Sequence, residues 1–296
     1  MSSAKVMELI NQFRESASLN DEKRDAGLPH VFKGVQRIDD LAYGPVSKWN
    51  LLDIYRPSEY QGKLPVMISI HGGGWCYGTK ETYQYYGMGM AQRGFAFVNF
   101  NYQLAPTVHY PAQLEEVNRV MHWVVDHADQ YDLDVNNVVL IGDSAGGQMM
   151  MQYLAAYINP DYRRQLGFKR PAMKIRAAAN NCGASFLTLP GTLDGLPSAY
   201  FLPEIVKEKG QQLAYEQYLT KGLPPIFIAT GNKDMIHDCS VRLDGYMLAK
   251  GLPHVFRNYG DKEHPAHHVF MISQKDPLAK KANDDEVAFL KKYLQN

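Results

Sequence analysis

The stretch that most restricts the fold is "VVLIGDSAGGQMMMQYLAAYI", residues 138–158, where a short apolar strand pattern passes through a glycine-flanked turn directly into a helical one. Met151, Leu154, Ala155 and Ile158 share one helix face, so the switch from strand to helix falls at Gly142-Asp143-Ser144-Ala145-Gly146. In a turn that tight, side chains two residues either side of the centre would collide with neighbouring backbone, and glycine stands at both places. The Ser144 hydroxyl is thereby pushed above the edge of the sheet.

Other short apolar runs repeat the rhythm: "LLDIY" (51–55), "PVMISI" (65–70), "FAFVNF" (95–100), "PIFIA" (225–229) and "HVFRNY" (254–259). Helical patterns lie between them, as where Leu114, Val117, Met121 and Val124 fall on one face. Alternating strands and helices predict an α/β fold, a largely parallel sheet with helices on both faces. Residues 184–222, rich in Pro, Gly and aromatics, interrupt the rhythm and read as a cap inserted into the sheet order. "NDDEVAFLKKYL", with cap-like Asn283 or Asp284, predicts a closing amphipathic helix. Val6, Leu9, Ile10 and Phe13 predict a helix over residues 4–14, followed by a polar, poorly patterned stretch to about Asp40. The organisation predicted is an N-terminal helical extension, 1–45, and one domain, 46–296.

Composition excludes several function classes. With 31 basic and 31 acidic residues and no basic block beyond runs such as Arg163-Arg164, nothing selects for nucleic acid or an anionic membrane. The N-terminus lacks the apolar core of a signal peptide and no segment has the length of a membrane span, so a cytoplasmic location is expected. Cys76, Cys182 and Cys239 are odd in number and without metal-ligand spacing, which predicts reduced thiols and no zinc site. Oligomeric state is not readable, and a homo-oligomer stays open.

Directly after "PVMISI" comes His71-Gly72-Gly73-Gly74-Trp75. Negative charge developing on a carbonyl oxygen needs backbone N–H groups free of side-chain obstruction, which consecutive glycines supply. Gly73 and Gly74, with Ala145 after the serine, are the predicted oxyanion donors. The other use of such a loop, a phosphate cradle, is disfavoured because no Gly-Lys-Ser/Thr follows.

The sequence resembles the α/β-hydrolase esterases of the hormone-sensitive-lipase and acetyl-esterase type over residues 50–294. "LLDIYRP", "HGGGW", "NYQLAP", "YPAQLEEVNRVMHWV", "GDSAGG" and "GNKDMIHD" occur in that family's order. The resemblance implies a mostly parallel eight-stranded sheet, a serine triad and a variable cap. Gln103 stands where the family often has Arg, and Glu115-Glu116 where it often has Asp, which bears on substrate detail more than on catalysis.

By the same resemblance Ser144 is the nucleophile and Asp234 the triad acid, with Asp238 the weaker candidate. Three histidines follow the last strand pattern. His268 opens "HVFMI" and matches the family's H-x-F; His264 precedes Pro265, and His267 is the third choice. The implied activity is hydrolysis of small acyl or aryl esters, including hydroxycinnamate esters, without cofactor or metal. Trp75, Tyr77, Phe186 and Phe201 are the candidate substrate-lining residues. A formamidase-type amidase on the same triad is the alternative, and a noncatalytic ligand-binding protein a weaker one.

Overall fold

The computed structural model describes residues 3–295. In chain order the elements are α1 (Ser3–Asp25), β1 (Val35–Ala42), β2 (Leu51–Pro57), β3 (Leu64–Ile70), α2 (Gln84–Gln92), β4 (Ala96–Phe100), α3 (Ala112–Asp126) and β5 (Leu133–Asp143). There follow α4 (Ser144–Ile158), α5 (Pro160–Gln165), β6 (Ile175–Asn181), α6 (Pro203–Leu213), β7 (Ile226–Gly231), α7 (His237–Ala249), β8 (His254–Tyr259) and α8 (Pro277–Lys291).

The eight strands form one sheet in the order β1-β2-β4-β3-β5-β6-β7-β8, with only β2 running against the rest. Both faces are buried, which is why the central strands read as unbroken apolar runs. Val66, Ile68, Val138 and Leu140 point into one core with α3 and α4, whereas Met67, Phe97, Val139 and Ile141 point into a second with α2 and α8. The fold is that of an α/β-hydrolase.

Two strands lack the expected apolar signature. β6, "IRAAANN", is buried through small alanines, and β1, "VQRIDDLA", is an edge strand whose register shifts between Ile38 and Leu41. The polar stretch leading to Asp40 therefore contributes to the sheet. The first helix continues eleven residues past the predicted Arg14, to Asp25. The closing helix starts at Pro277, ahead of the predicted Asn283 or Asp284, with the Asp276 side chain accepting the Leu278 amide as its N-cap. Residues 184–222 lie between β6 and β7 and hold two short turns of 3₁₀ helix and α6.

Candidate active site

At the C-terminal edge of the sheet β5 gives way to α4 with no intervening residue. Ser144 takes the left-handed backbone conformation, φ 49°, that such a turn imposes. A Cβ on Gly142 would lie 2.6 Å from the Gly146 carbonyl oxygen, and one on Gly146 would run into the Ile70 carbonyl. Both glycines are therefore dictated by contact with main chain.

The acid and the histidine arrive on the turns after β7 and β8, and Asn232 joins the two. Its side chain accepts the Ala266 amide at 2.9 Å and donates to the Asp261 carbonyl at 2.9 Å, while the Lys233 amide donates to the Ala266 carbonyl at 2.9 Å. His268 Nδ1 then lies 2.6 Å from Asp234 Oδ1, and His268 Nε2 lies 2.9 Å from Ser144 Oγ. Asp234 also accepts from the Thr230 hydroxyl at 2.9 Å and the Ile236 amide at 3.0 Å. Burial pushes the Asp234 carboxyl up, but the His268 hydrogen bond and charge, with the Ile236 amide, outweigh it and hold the group below the usual carboxylate range. Asp234 is thus an anion at neutral pH, with its side chain fully buried against an imidazole that is 19% exposed.

The other candidates fall elsewhere. The His264 side chain is 79% exposed and faces only Asp261, at 3.8 Å. His267 pairs with Lys233 in an isolated bridge, and Asp238 sits in the first turn of α7 beside Arg242, 3.3 Å away.

The glycine loop lies against this turn. Gly73 (φ 115°) and Gly74 (φ 57°) both need positive φ, and a Cβ on Gly73 would meet the Tyr77 carbonyl. Among the described residues, the amides of Gly73 and Gly74 donate to no protein acceptor. The Ala145 amide, in the first turn of α4, has no intrahelical acceptor by helix geometry. Asp143, just before Ser144, accepts the Gly72 amide at 3.1 Å and the Tyr83 hydroxyl at 2.7 Å. Burial lifts its carboxyl to about 6, against the lowering effects of Tyr83, His268 and the Gly72 amide. His71 is buried and stacked on Tyr102 at 4.1 Å, and burial lowers its imidazole to about 4.

Ser144 and His268 open on a cavity of about 580 Å³, apolar over most of its wall. Trp75 and Tyr77 line it; Phe186 and Phe201 do not. Phe201 lies behind Trp75, edge-on at 5.0 Å, and Phe186 packs edge-on to Tyr246 of α7 at 5.8 Å, so each cap ring is engaged by an aromatic from outside the cap. Their place is taken by Leu187, Leu196 and Pro197 and by Phe13, Ala17 and Asp21 of α1. Asp21 accepts the Tyr77 hydroxyl at 2.8 Å, and Arg14 and Arg24 donate to the main-chain carbonyls of Cys76, Ala105 and Thr82. The predicted helix over residues 4–14 reached Phe13 and Arg14 but stopped before Ala17, Asp21 and Arg24, which the apolar pattern did not mark. No helix among the described residues is long and apolar enough to cross a membrane.

Comparison with known proteins agrees with this architecture. Esterase LipQ of Mycobacterium tuberculosis is 28% identical over 70% of this chain and 52% of its own length. Bovine arylacetamide deacetylase is 40% identical over 49% of this chain and 41% of its own. The chain thus spans about half the length of the curated relatives it matches. Among solved structures, esterase B from Lactobacillus rhamnosis, inhibited by a tributyrin phosphonate, superposes with a TM-score of 0.89 at 21% identity, over 99% of this chain and 96% of that one. A bacterial heroin esterase gives a TM-score of 0.74 at 18% identity, over 100% of this chain and 95% of that one. The family model described as BD-FAE matches residues 52–243, about two thirds of the sequence, and the chain belongs to that family.

Proposed function

We propose that this protein is a serine carboxylesterase for small acyl or aryl esters. The observation that carries the reading is the unbroken line from Asp234 through His268 to Ser144, with spacings of 2.6 and 2.9 Å, opening on a largely apolar cavity. The esterase names of the relatives support it.

In this reading His268 Nε2 accepts the Ser144 proton as the hydroxyl oxygen attacks the ester carbonyl. Asp234 accepts the Nδ1–H, fixes the tautomer and stabilises the imidazolium. The carbonyl oxygen takes up the negative charge among the Gly73, Gly74 and Ala145 amides. Collapse of this adduct expels the alcohol, protonated by His268, and leaves Ser144 acylated. A water deprotonated by His268 then attacks the acyl carbon, and the second adduct releases the acid and restores Ser144. The cavity volume is in the range that encloses a small ligand, and Trp75, Leu187 and Leu196 suit an acyl or aryl group, hydroxycinnamoyl included.

The test uses p-nitrophenyl acetate, butyrate and octanoate with methyl ferulate, on wild type, Ser144→Ala and His268→Ala checked for folding by circular dichroism. The expected outcome is ester turnover by wild type and a loss of about a thousandfold or more in each variant. Wild type that left every ester untouched and cleaved an N-formyl amide would replace this reading with the amidase.

A further inference from the structure

The amides assigned to the oxyanion come from two separate pieces of chain: Ala145 from the start of α4, Gly73 and Gly74 from the loop after β3. Their spacing has to be fixed by something that ties loop to helix. One tie precedes the serine, from Asp143 to the Gly72 amide. A second lies on the other flank, where the Trp75 indole N–H donates to Gln148 Oε1 at 3.1 Å. Gln148 is one helical turn beyond Ser144 on the same helix.

Gln148 is itself held in one orientation. An indole nitrogen only donates, so the amide must turn its oxygen to Trp75, and its nitrogen donates to Gln152 Oε1 at 2.8 Å. Gln152 in turn donates its two amide hydrogens to the hydroxyls of Tyr110 and Tyr162, at 2.9 and 2.8 Å, and the Tyr162 hydroxyl donates on to the Gln212 carbonyl of α6 at 2.6 Å. Gln148 and Gln152 are both buried, so each bond is made away from water and its loss leaves an orphaned polar group. Trp75 has a left-handed backbone, φ 60°, and its carbonyl is also tied, accepting from Gln113 at 2.7 Å and from the Ala105 amide at 2.9 Å. A residue in that conformation persists only where its surroundings over-determine it.

We propose that Gln148 is a positioning residue for the oxyanion site: by gripping Trp75 from the helix that carries Ser144 and Ala145, it sets where Gly73 and Gly74 stand relative to the nucleophile. The inference rests on the esterase reading. It differs from a packing role, because a purely structural amide chain between α4 and the cap would change stability and leave the transition state alone.

The experiment compares wild type with Gln148→Met, Gln148→Glu, Trp75→Phe and the Trp75→Phe/Gln148→Met double variant. Each is assayed for p-nitrophenyl butyrate turnover per folded molecule and for inhibition by an alkyl trifluoromethyl ketone, which adds reversibly to the serine and presents an oxyanion. Gln148→Met is expected to lower kcat about ten- to hundredfold with KM changed less than about threefold, since small misplacement of oxyanion donors is costly. Affinity for the ketone falls by the same factor. Gln148→Glu, kept neutral by burial, still accepts from the indole and donates to Gln152, and retains most of the activity. The double variant is no worse than the poorer single by more than about twofold, the non-additivity of groups that act as one.

A Gln148→Met variant with kcat within about twofold of wild type overturns the proposal and leaves the esterase reading intact; so does a kcat loss without the matching loss of ketone affinity. Should Gln148→Met not fold, Trp75→Phe decides: because Trp75 also lines the cavity, kcat and ketone affinity falling together with KM changed less than about threefold support the tie, and an unchanged kcat or a loss carried by KM refutes it. A folded wild type inert towards all esters overturns both readings together.

Discussion

Asp234 and His268 differ from their neighbours in sequence by burial and partners more than by residue type. His264 and His267 lie within a few positions of His268, yet only His268 is brought to Ser144, through a bridge that begins at Asn232. Chain order pointed to this loop, and the H-x-F match to the histidine whose Nε2 lies 2.9 Å from Ser144 Oγ. The part played by Asn232 was not legible, because a loop asparagine looks the same in sequence whether it braces a site or faces solvent. Asp234→Asn is expected to lose about a thousandfold or more in kcat while His264→Ala stays within about twofold of wild type, as steady-state kinetics on p-nitrophenyl butyrate will register. The aromatic candidates divided for a related reason: residue type marks Trp75 and Phe201 alike as apolar, and only packing puts one ring at the cavity and the other behind it.

Among the elements, the turn from β5 into α4 was the most legible, since its glycines are demanded by backbone contacts. Gly146→Ala places a methyl against the Ile70 carbonyl, and the expected cost is about 3 kcal/mol or more, read as a lower urea midpoint or as failure to fold. β6 went unread because "AAA" carries no β-branched signature, and β1 because an edge strand keeps polar residues on its open side. α1 behaves differently from the other helices. Ile10 is its one buried residue, and much of its docking is by arginines on main-chain carbonyls and by Asp21 on Tyr77. Deleting residues 1–25 is therefore expected to leave a folded protein whose KM for p-nitrophenyl butyrate rises about tenfold, equivalent to ~1.4 kcal/mol. A melting curve with the kinetics checks both halves; an unchanged KM would remove α1 from the substrate wall.

For the molecule as a whole, stability should depend on pH through acids buried beneath the site. Glu286 on α8 is fully buried beside Asn181 and Tyr86, and burial lifts its carboxyl to about 7, with the Asp143 charge adding to the rise. A raised carboxyl binds its proton more tightly in the folded state, so its contribution to stability falls as pH rises from 4.5 to about 7 and is constant above. His71, lowered to about 4, has the opposite slope between about 4 and 6.5, which is why the wild-type curve alone does not isolate either group. Glu286→Gln is expected to be more stable than wild type at pH 8, by on the order of 3 kcal/mol, with the difference vanishing towards pH 4.5. Urea denaturation across that range measures it, and parallel curves for the two proteins would contradict the assignment.

Met235, between Asp234 and Ile236, lines the cavity yet stands 79% exposed, whereas Cys76 and Cys182 are buried. Its thioether meets a dissolved oxidant before those thiols do, and the sulfoxide that forms is a polar, chiral group on an apolar rim. Oxidation at Met235 thus places a polar group on the rim of the cavity that Ser144 and His268 face, and a methionine sulfoxide reductase, acting on an accessible side chain, can reverse it.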